Sequence, residues 1–301
     1  MIRLVERKHI DVEKYDACIQ NAQQSNIFAF SWYLDIVADN WSVFVLEDYE
    51  AVMPVTWRRK YLIKYVYQPL WTLQLGIFST ENIDENEFLI ELFDEFKYTD
   101  LRMNSKNAFT MFQDNCLDRY LQYLTLDLDD ATIFKNYKSD RKKDLRRAKK
   151  ADLTEKWNDN PANLIQLFKE NIGKKAKGIT EKDYGNLLKL MQTCIERRVG
   201  ELLSIYDSDN KLVASGFFLK DVDRVSILVS STDFKNRKNG ANTFLIDRAI
   251  FKYRNGFKEF GFGGSSISSI AKYFNSFGAK TETYQQLKKN NLPKFIRFFK
   301  K

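Results

Sequence analysis

The residues best suited to chemistry cluster late in the chain. Arg237-Lys238-Asn239-Gly240-Ala241-Asn242 places three polar or basic residues and a glycine ahead of an expected helix. Unpaired backbone N–H groups at a helix start attract anions, and glycine lets a phosphate come close to the backbone. Lys235 adds a further cation. Gly261-Phe262-Gly263-Gly264 closes the next strand, where glycines permit close approach of backbone to a ligand and Ser265 or Ser266 can cap the following helix. Upstream, Ile133 to Leu153 reads as a basic helix over 133–150, with Phe134, Tyr137, Arg141, Leu145 and Ala148 on one face. Arg141 is the one charge in that stripe; it either reaches out to the surface or, held there, requires an anionic partner: a ligand phosphate or carboxylate, or else Asp140 or Asp144. Chemistry that moves protons needs a base and an acid held close to the reacting atoms. Asp233 is the candidate base, with a chain of waters as the alternative.

Other chemistries find little support. His9 is the only histidine, which argues against Ser-His-Asp triads, Cys-His dyads and histidine metal sites. Cys18, Cys116 and Cys194 are too few and too scattered for a disulfide framework or a zinc site, and they suit a reducing compartment. No metal is expected. No apolar run is long enough to span a membrane, and the charged N-terminus does not read as a secretory signal, so the expected location is cytoplasmic. The net charge of +8 is compatible with solubility alone or with an anionic partner.

Elements of an α/β (α+β) chain must position these residues. The second half reads strand (Leu153–Trp157), two helices (from Pro161 and from Glu181), three strands (201–207, 211–220, 224–231), helix (241–254), strand (257–262), helix (267–277) and strand (281–287). Asn160-Pro161 and Thr180-Glu181-Lys182-Asp183 are helix-start signatures. The first half repeats much of this order: strand 2–5, helices 12–22 and 31–38, strands 42–46, 51–57 and 63–67, helix 85–96, strands 98–103 and 120–127. Two domains are expected, 1–127 and 128–301, each a mixed, mostly antiparallel twisted sheet flanked by helices.

That order is the order of the GNAT fold, and several segments carry a family resemblance. R-x-x-D-L-R-R-A at Arg141–Ala148 resembles the basic helix entering the second domain of FemAB-type transferases, which are bacterial double-GNAT enzymes. Gly261–Ser266 and Tyr273–Gly278 resemble late segments of the same domain; Ser31–Asp35 and Pro69–Phe78 resemble the relatives' first domain. The resemblance implies transfer of an amino acid from aminoacyl-tRNA to a cell-wall precursor. One departure stands out: where the family places a lysine, this chain has Phe274, and Lys272 lies two residues away, roughly 200° around a helix.

Arg237–Asn242 is also similar to the Q/R-x-x-G-x-G/A pyrophosphate loop of GNATs that use acyl-coenzyme A, with Asn242 in place of a small last residue. This second resemblance implies acyl-coenzyme A as co-substrate. Arg237, Lys238, Asn239, Gly240 and Ala241 would hold its phosphates, and Ile227, Val229 and Gly263 would lie along its pantetheine arm. Tyr273 would be the acid, with Arg141, Lys272, Gly264 and Ser265 on the substrate. The leading expectation is N-acyl (less readily O-acyl) transfer from acyl-coenzyme A to a small-molecule or peptidyl amine. FemAB-like aminoacyl transfer from tRNA and a non-catalytic ligand-binding pair are the alternatives. The aromatic and basic tail from Leu292 suits contact with an anionic membrane or nucleic acid, or docking on the core.

Overall fold

A computed structural model describes residues 1–60, 62–176, 178–264 and 267–292. The tail after Leu292, Ser265 and Ser266 lie outside the described residues. The chain forms two compact units, Met1–Arg119 with Thr283–Lys301, and Tyr120–Glu282.

The first unit runs β1 (Ile2–Glu6), α1 (Val12–Asn21), α2 (Ser31–Val37), β2 (Trp41–Leu46), β3 (Ala51–Lys60), β4 (Ile63–Val66), β5 (Phe78–Ser79), α3 (Glu85–Glu95) and β6 (Tyr98–Arg102). β1, β2, β3 and β4 pair in sequence order, all antiparallel, and β5 joins β3. Asp11 caps α1 by accepting from the Lys14 N–H, and Tyr15, Cys18 and Ile19 then fall on its buried face. Asp84 caps α3 in the same way, ahead of buried Phe88, Leu89 and Leu92.

β7 (Cys116–Thr125) leads into the second unit. There follow α4 (Asp130–Asn136), α5 (Ser139–Lys150), β8 (Thr154–Trp157), α6 (Pro161–Phe168), α7 (Glu181–Glu196), β9 (Gly200–Tyr206), β10 (Leu212–Lys220), β11 (Arg224–Thr232), α8 (Ala241–Tyr253), β12 (Glu259–Gly264), α9 (Ser268–Asn275) and β13 (Lys280–Asn290). The sheet order in this unit is β7-β12-β11-β10-β9-β8, antiparallel except for β11 with β12. From Thr283 onward β13 belongs to the first unit, where it pairs with β6, Gln286 opposite Arg102.

Helices cover both faces of the second sheet. α8 lies on one, its Leu245 close above Gly216; α7 lies on the other, where Gly200 leaves room for the Phe217 ring and Cys194. The core on the α8 side joins Leu203, Ile205, Phe218, Val225 and Ile227 of the strands to Leu245, Ala249 and Ile250. The Thr180–Asp183 capping box and the Asn160 cap form as the sequence predicts.

The single helix expected over 133–150 is instead two. Tyr137 and Lys138 are extended, and the Lys138 N–H donates to the Ser276 carbonyl rather than continuing a helix. The reason is packing: Tyr137 is drawn into the core edge-on against Phe277, while Phe134, expected on the same stripe, is left exposed.

Candidate functional site

β11 and β12 are parallel neighbours only over Arg224–Glu259, Val225–Phe260 and Ser226–Gly261. β11 runs on to Thr232 and β12 to Gly264 without further pairing to each other. The two strands therefore part toward their C-terminal ends. At the parting Gly263 has φ +72°, and a side chain there would press on the Ile227 carbonyl oxygen at 3.2 Å. Ile227 and Val229 point their side chains into the core, so what they offer a ligand is backbone.

Beyond β11 the chain makes a tight 3-10 turn, Phe234–Asn239, capped by Asp233. The Asp233 carboxylate accepts from the Lys235 N–H at 2.9 Å, from Asn236 Nδ2 at 2.9 Å and from Lys211 Nζ at 2.8 Å. Burial works to raise its pKa, but these donors outweigh it and hold the carboxyl below its usual range, which makes it a weak proton acceptor. The Phe234 N–H donates to Asn171 Oδ1, and Asn171 sits in a π-helical turn that ends α6. The Arg237 guanidinium lies 3.6 Å from the Phe234 ring centroid and Lys175 Nζ 4.9 Å from it, so one ring gathers two cations. Lys235 and Lys238 are exposed.

Gly240 serves two purposes. Its φ of +84° makes the bend into α8, and it is buried against α5, where any Cβ would collide with the Asp144 carbonyl. The next N–H, of Ala241, donates to Asn239 Oδ1 at 2.9 Å. Gly240 and Ala241, expected to face phosphates, are thus engaged by the protein's own groups.

The first turn of α8 then enters a polar network. Thr232 Oγ1 and Asn242 Oδ1 are 3.2 Å apart, and Asn242 Nδ2 donates to Tyr273 Oη at 2.9 Å. Tyr273 Oη lies 3.2 Å from Thr243 Oγ1, which donates to Asp144 Oδ2 at 2.9 Å and accepts from Arg141 Nη1 at 2.7 Å. Arg141 also pairs with Asp144 at 3.0 Å and stacks on the Tyr273 ring at 4.3 Å. A single assignment satisfies every hydroxyl: Tyr273 donates to Thr243, and Thr243 to Asp144. Burial raises the Tyr273 pKa, so the phenol stays protonated.

The network ties the end of β11, the start of α8, α9 and α5 into one place, beside the basic turn. Of the residues singled out in the sequence, Arg141, Tyr273, Gly240 and Ala241 meet around it, and Arg237 and Lys238 flank it in the turn. Arg141 takes its charge partner from within, Asp144, which was one of the alternatives open in the sequence. Gly264 pairs with Leu121 across from β7, and Lys272 is exposed on the residue before Tyr273. Ser265 lies outside the described residues. Phe274, at the family's lysine position, packs 5.1 Å from the Phe262 ring. Thr243 and Thr232 were missed, and Asn242 was seen only as the last residue of the loop pattern. Among the described residues no group of three or more His, Cys, Asp or Glu side chains could hold a metal, and no helix is long and apolar enough to cross a membrane.

No protein-family model matches the chain, and no curated protein matches it in sequence. Solved structures do. FemX superposes with a TM-score of 0.62 at 10% identity, covering 93% of this chain and 96% of that one. L-PGS from Bacillus licheniformis gives 0.57 at 13%, covering 96% and 95%. A tandem GNAT protein from the clavulanic acid biosynthesis pathway gives 0.55 at 9%, covering 97% and 99%. At these identities the likeness is one of fold: the chain has the FemAB-like double-GNAT fold, two tandem α/β units of mostly antiparallel sheet flanked by helices.

Proposed function

We propose that the second unit is an N-acyltransferase that takes the acyl group of an acyl-coenzyme A and passes it to a small-molecule or peptidyl amine. The observation that carries this reading is the parting of β11 from β12 after three residue pairs. An extended arm with amide groups can pair with the freed backbone of Ile227–Thr232 and of Gly263 as an added strand would. Arg237 and Lys238, with Lys175 beside them, supply the cations for the carrier's phosphates.

In this reaction the amine nitrogen bonds to the acyl carbon and the carbon–sulfur bond breaks. The amine's surplus proton passes to water, and the thiolate takes a proton from the Tyr273 phenol, whose O–H turns from Thr243 to give it and whose oxygen is then reprotonated from water. Tyr273 has the right protonation state, and Thr243 and Asn242 fix its hydroxyl. Asp233, tied to three donors, orders the turn in this scheme instead of taking the amine's proton. FemX, L-PGS and the tandem GNAT protein support a transferase of this superfamily by fold. A cytoplasmic location accords with the acyl donor.

A second reading, aminoacyl-tRNA as donor, draws on Gly240 and Ala241. Both face the protein's own groups, leaving side-chain cations as the phosphate ligands. The exposed Lys143, Arg146, Lys149 and Lys150 of α5 extend that positive surface. Thermal unfolding with coenzyme A and with deacylated tRNA separates the two. A ligand at a hundred times its Kd stabilises by about 2.7 kcal/mol. A rise in midpoint with coenzyme A that disappears in Arg237→Ala supports the first reading. A steeply salt-dependent response to tRNA alone replaces it with the second, and no response to either removes both.

A further inference from the structure

The first unit repeats much of the second's element order with one extra strand, β4. Since β5 pairs antiparallel with β3 as β11 does with β10, and α3 and β6 follow it, β5, α3 and β6 correspond to β11, α8 and β12. The approach to β5 touches β6 at Arg102, whose carbonyl accepts from the Leu75 N–H at 2.8 Å and whose N–H donates to Gln68 Oε1 at 2.9 Å. One step further along, Ile77 is bonded by a side chain. Asn107 Oδ1 accepts from the Ile77 N–H at 3.1 Å, and Asn107 Nδ2 donates to the Ile77 carbonyl at 2.9 Å. A carboxamide has one acceptor and two donors, so it can pair with a residue's N–H and C=O as a neighbouring strand or an amide-bearing ligand would. Ile77 is fully buried and Asn107 nearly so. Gly76, at φ +152°, leaves no space beside them: a Cβ there would collide with Asn107 Oδ1 and stand 3.0 Å from Asn104.

The second hydrogen of Asn107 Nδ2 goes to Glu85 Oε1 at 2.6 Å, and Glu85 Oε2 accepts from the Ala108 N–H at 2.8 Å. Glu85 is the first residue of α3, so a carboxylate occupies the helix start that corresponds to the basic turn before α8. The surroundings differ in sign as well. Glu81, Asp84, Glu85 and Glu87 stand here, where the second unit has Lys235, Arg237 and Lys238.

We infer that the chain fills the first unit's donor slot with its own groups. The Asn107 carboxamide takes the place of a donor's amide and the Glu85 carboxylate that of its phosphates, so each chain carries one acyl-donor site, in the second unit. This inference rests on the donor reading above for the identity of the slot; the filling itself stands on the Asn107–Ile77 bonds.

Amide hydrogen exchange followed by NMR tests it on the full chain. Asn107→Ala removes both bonds to Ile77, and the Ile77 amide is expected to exchange at least about tenfold faster while Leu75 is unchanged. An unchanged Ile77 overturns the inference. A footprint on the unsubstituted protein holds whatever the fate of that variant. Coenzyme A is expected to slow exchange over 227–241 and leave 72–85 unchanged. Protection over 72–85, or two coenzyme A molecules per chain by native mass spectrometry, overturns the inference. Coenzyme A protecting neither segment counts against the carrier reading alone, since an empty first unit is what a filled slot requires.

Discussion

Gly240 and Asp144 meet backbone to backbone: the glycine at the start of α8 lies against the Asp144 carbonyl of α5 so closely that no side chain fits between them. The glycine that resembles a phosphate-loop residue is therefore a packing residue. Gly240→Ala must strain a positive φ and push α5 away, at a cost of about 2 kcal/mol or more. The unfolding midpoint is expected to fall by roughly 4–8 °C without any ligand present. An unchanged midpoint would show that α5 yields freely.

Thr243 is the hub between Arg141, Asp144 and Tyr273. Thr243→Val keeps the shape but leaves a buried guanidinium, a carboxylate and a phenol each short of a bond, for a loss of about 2 kcal/mol. Thr243→Ser restores the hydroxyl and should recover most of it. Equal losses in the two variants would mean that the methyl group, not the network, matters.

Tyr273→Phe leaves the ring under Arg141 and removes only the hydroxyl. On the proposed mechanism kcat falls by about a hundredfold or more while KM for the donor changes little. A kcat within a factor of two of the parent rules out the phenol as the acid.

Asp247 in α8 sets a pH dependence. Burial pushes its carboxyl from 3.8 up to about 6, only partly offset by Tyr137 and Arg248. The Asp247 carboxyl and the Tyr137 hydroxyl are buried beside each other. The folded chain holds this proton more tightly than the unfolded one, so its contribution is greatest below about pH 4 and is lost as pH rises through 6. The loss amounts to about 3 kcal/mol at most. Asp247→Asn should be more stable than the parent at pH 7.5 and lose that advantage by pH 4. Denaturant unfolding of both proteins at the two pH values measures this; an identical difference at each pH refutes it.

Element order was plain in the sequence because caps and periodicity are local: Asn160, Thr180 and Asp183 do what their neighbours predict. The break at Tyr137–Lys138 was hidden, since the basic stripe continues through it and only the tertiary pull of Phe277 on Tyr137 ends α4. Site residues divided in the same way. Arg141 was visible as a charge in an apolar face, and its partner Asp144 lay three residues on. Thr232, Asn242 and Tyr273 come from three elements, and nothing in their spacing shows that they meet. The Asn107–Ile77 bonds were equally invisible, because a carboxamide that imitates a strand has no periodicity.

The closed end of the gap between β11 and β12 has a further effect. Backbone still paired at Ser226 and Gly261 forms a floor. On the proposed function, a donor arm that pairs with β11 as an added strand would reach no further than this pairing, because the backbone beyond it is already bonded to its neighbour.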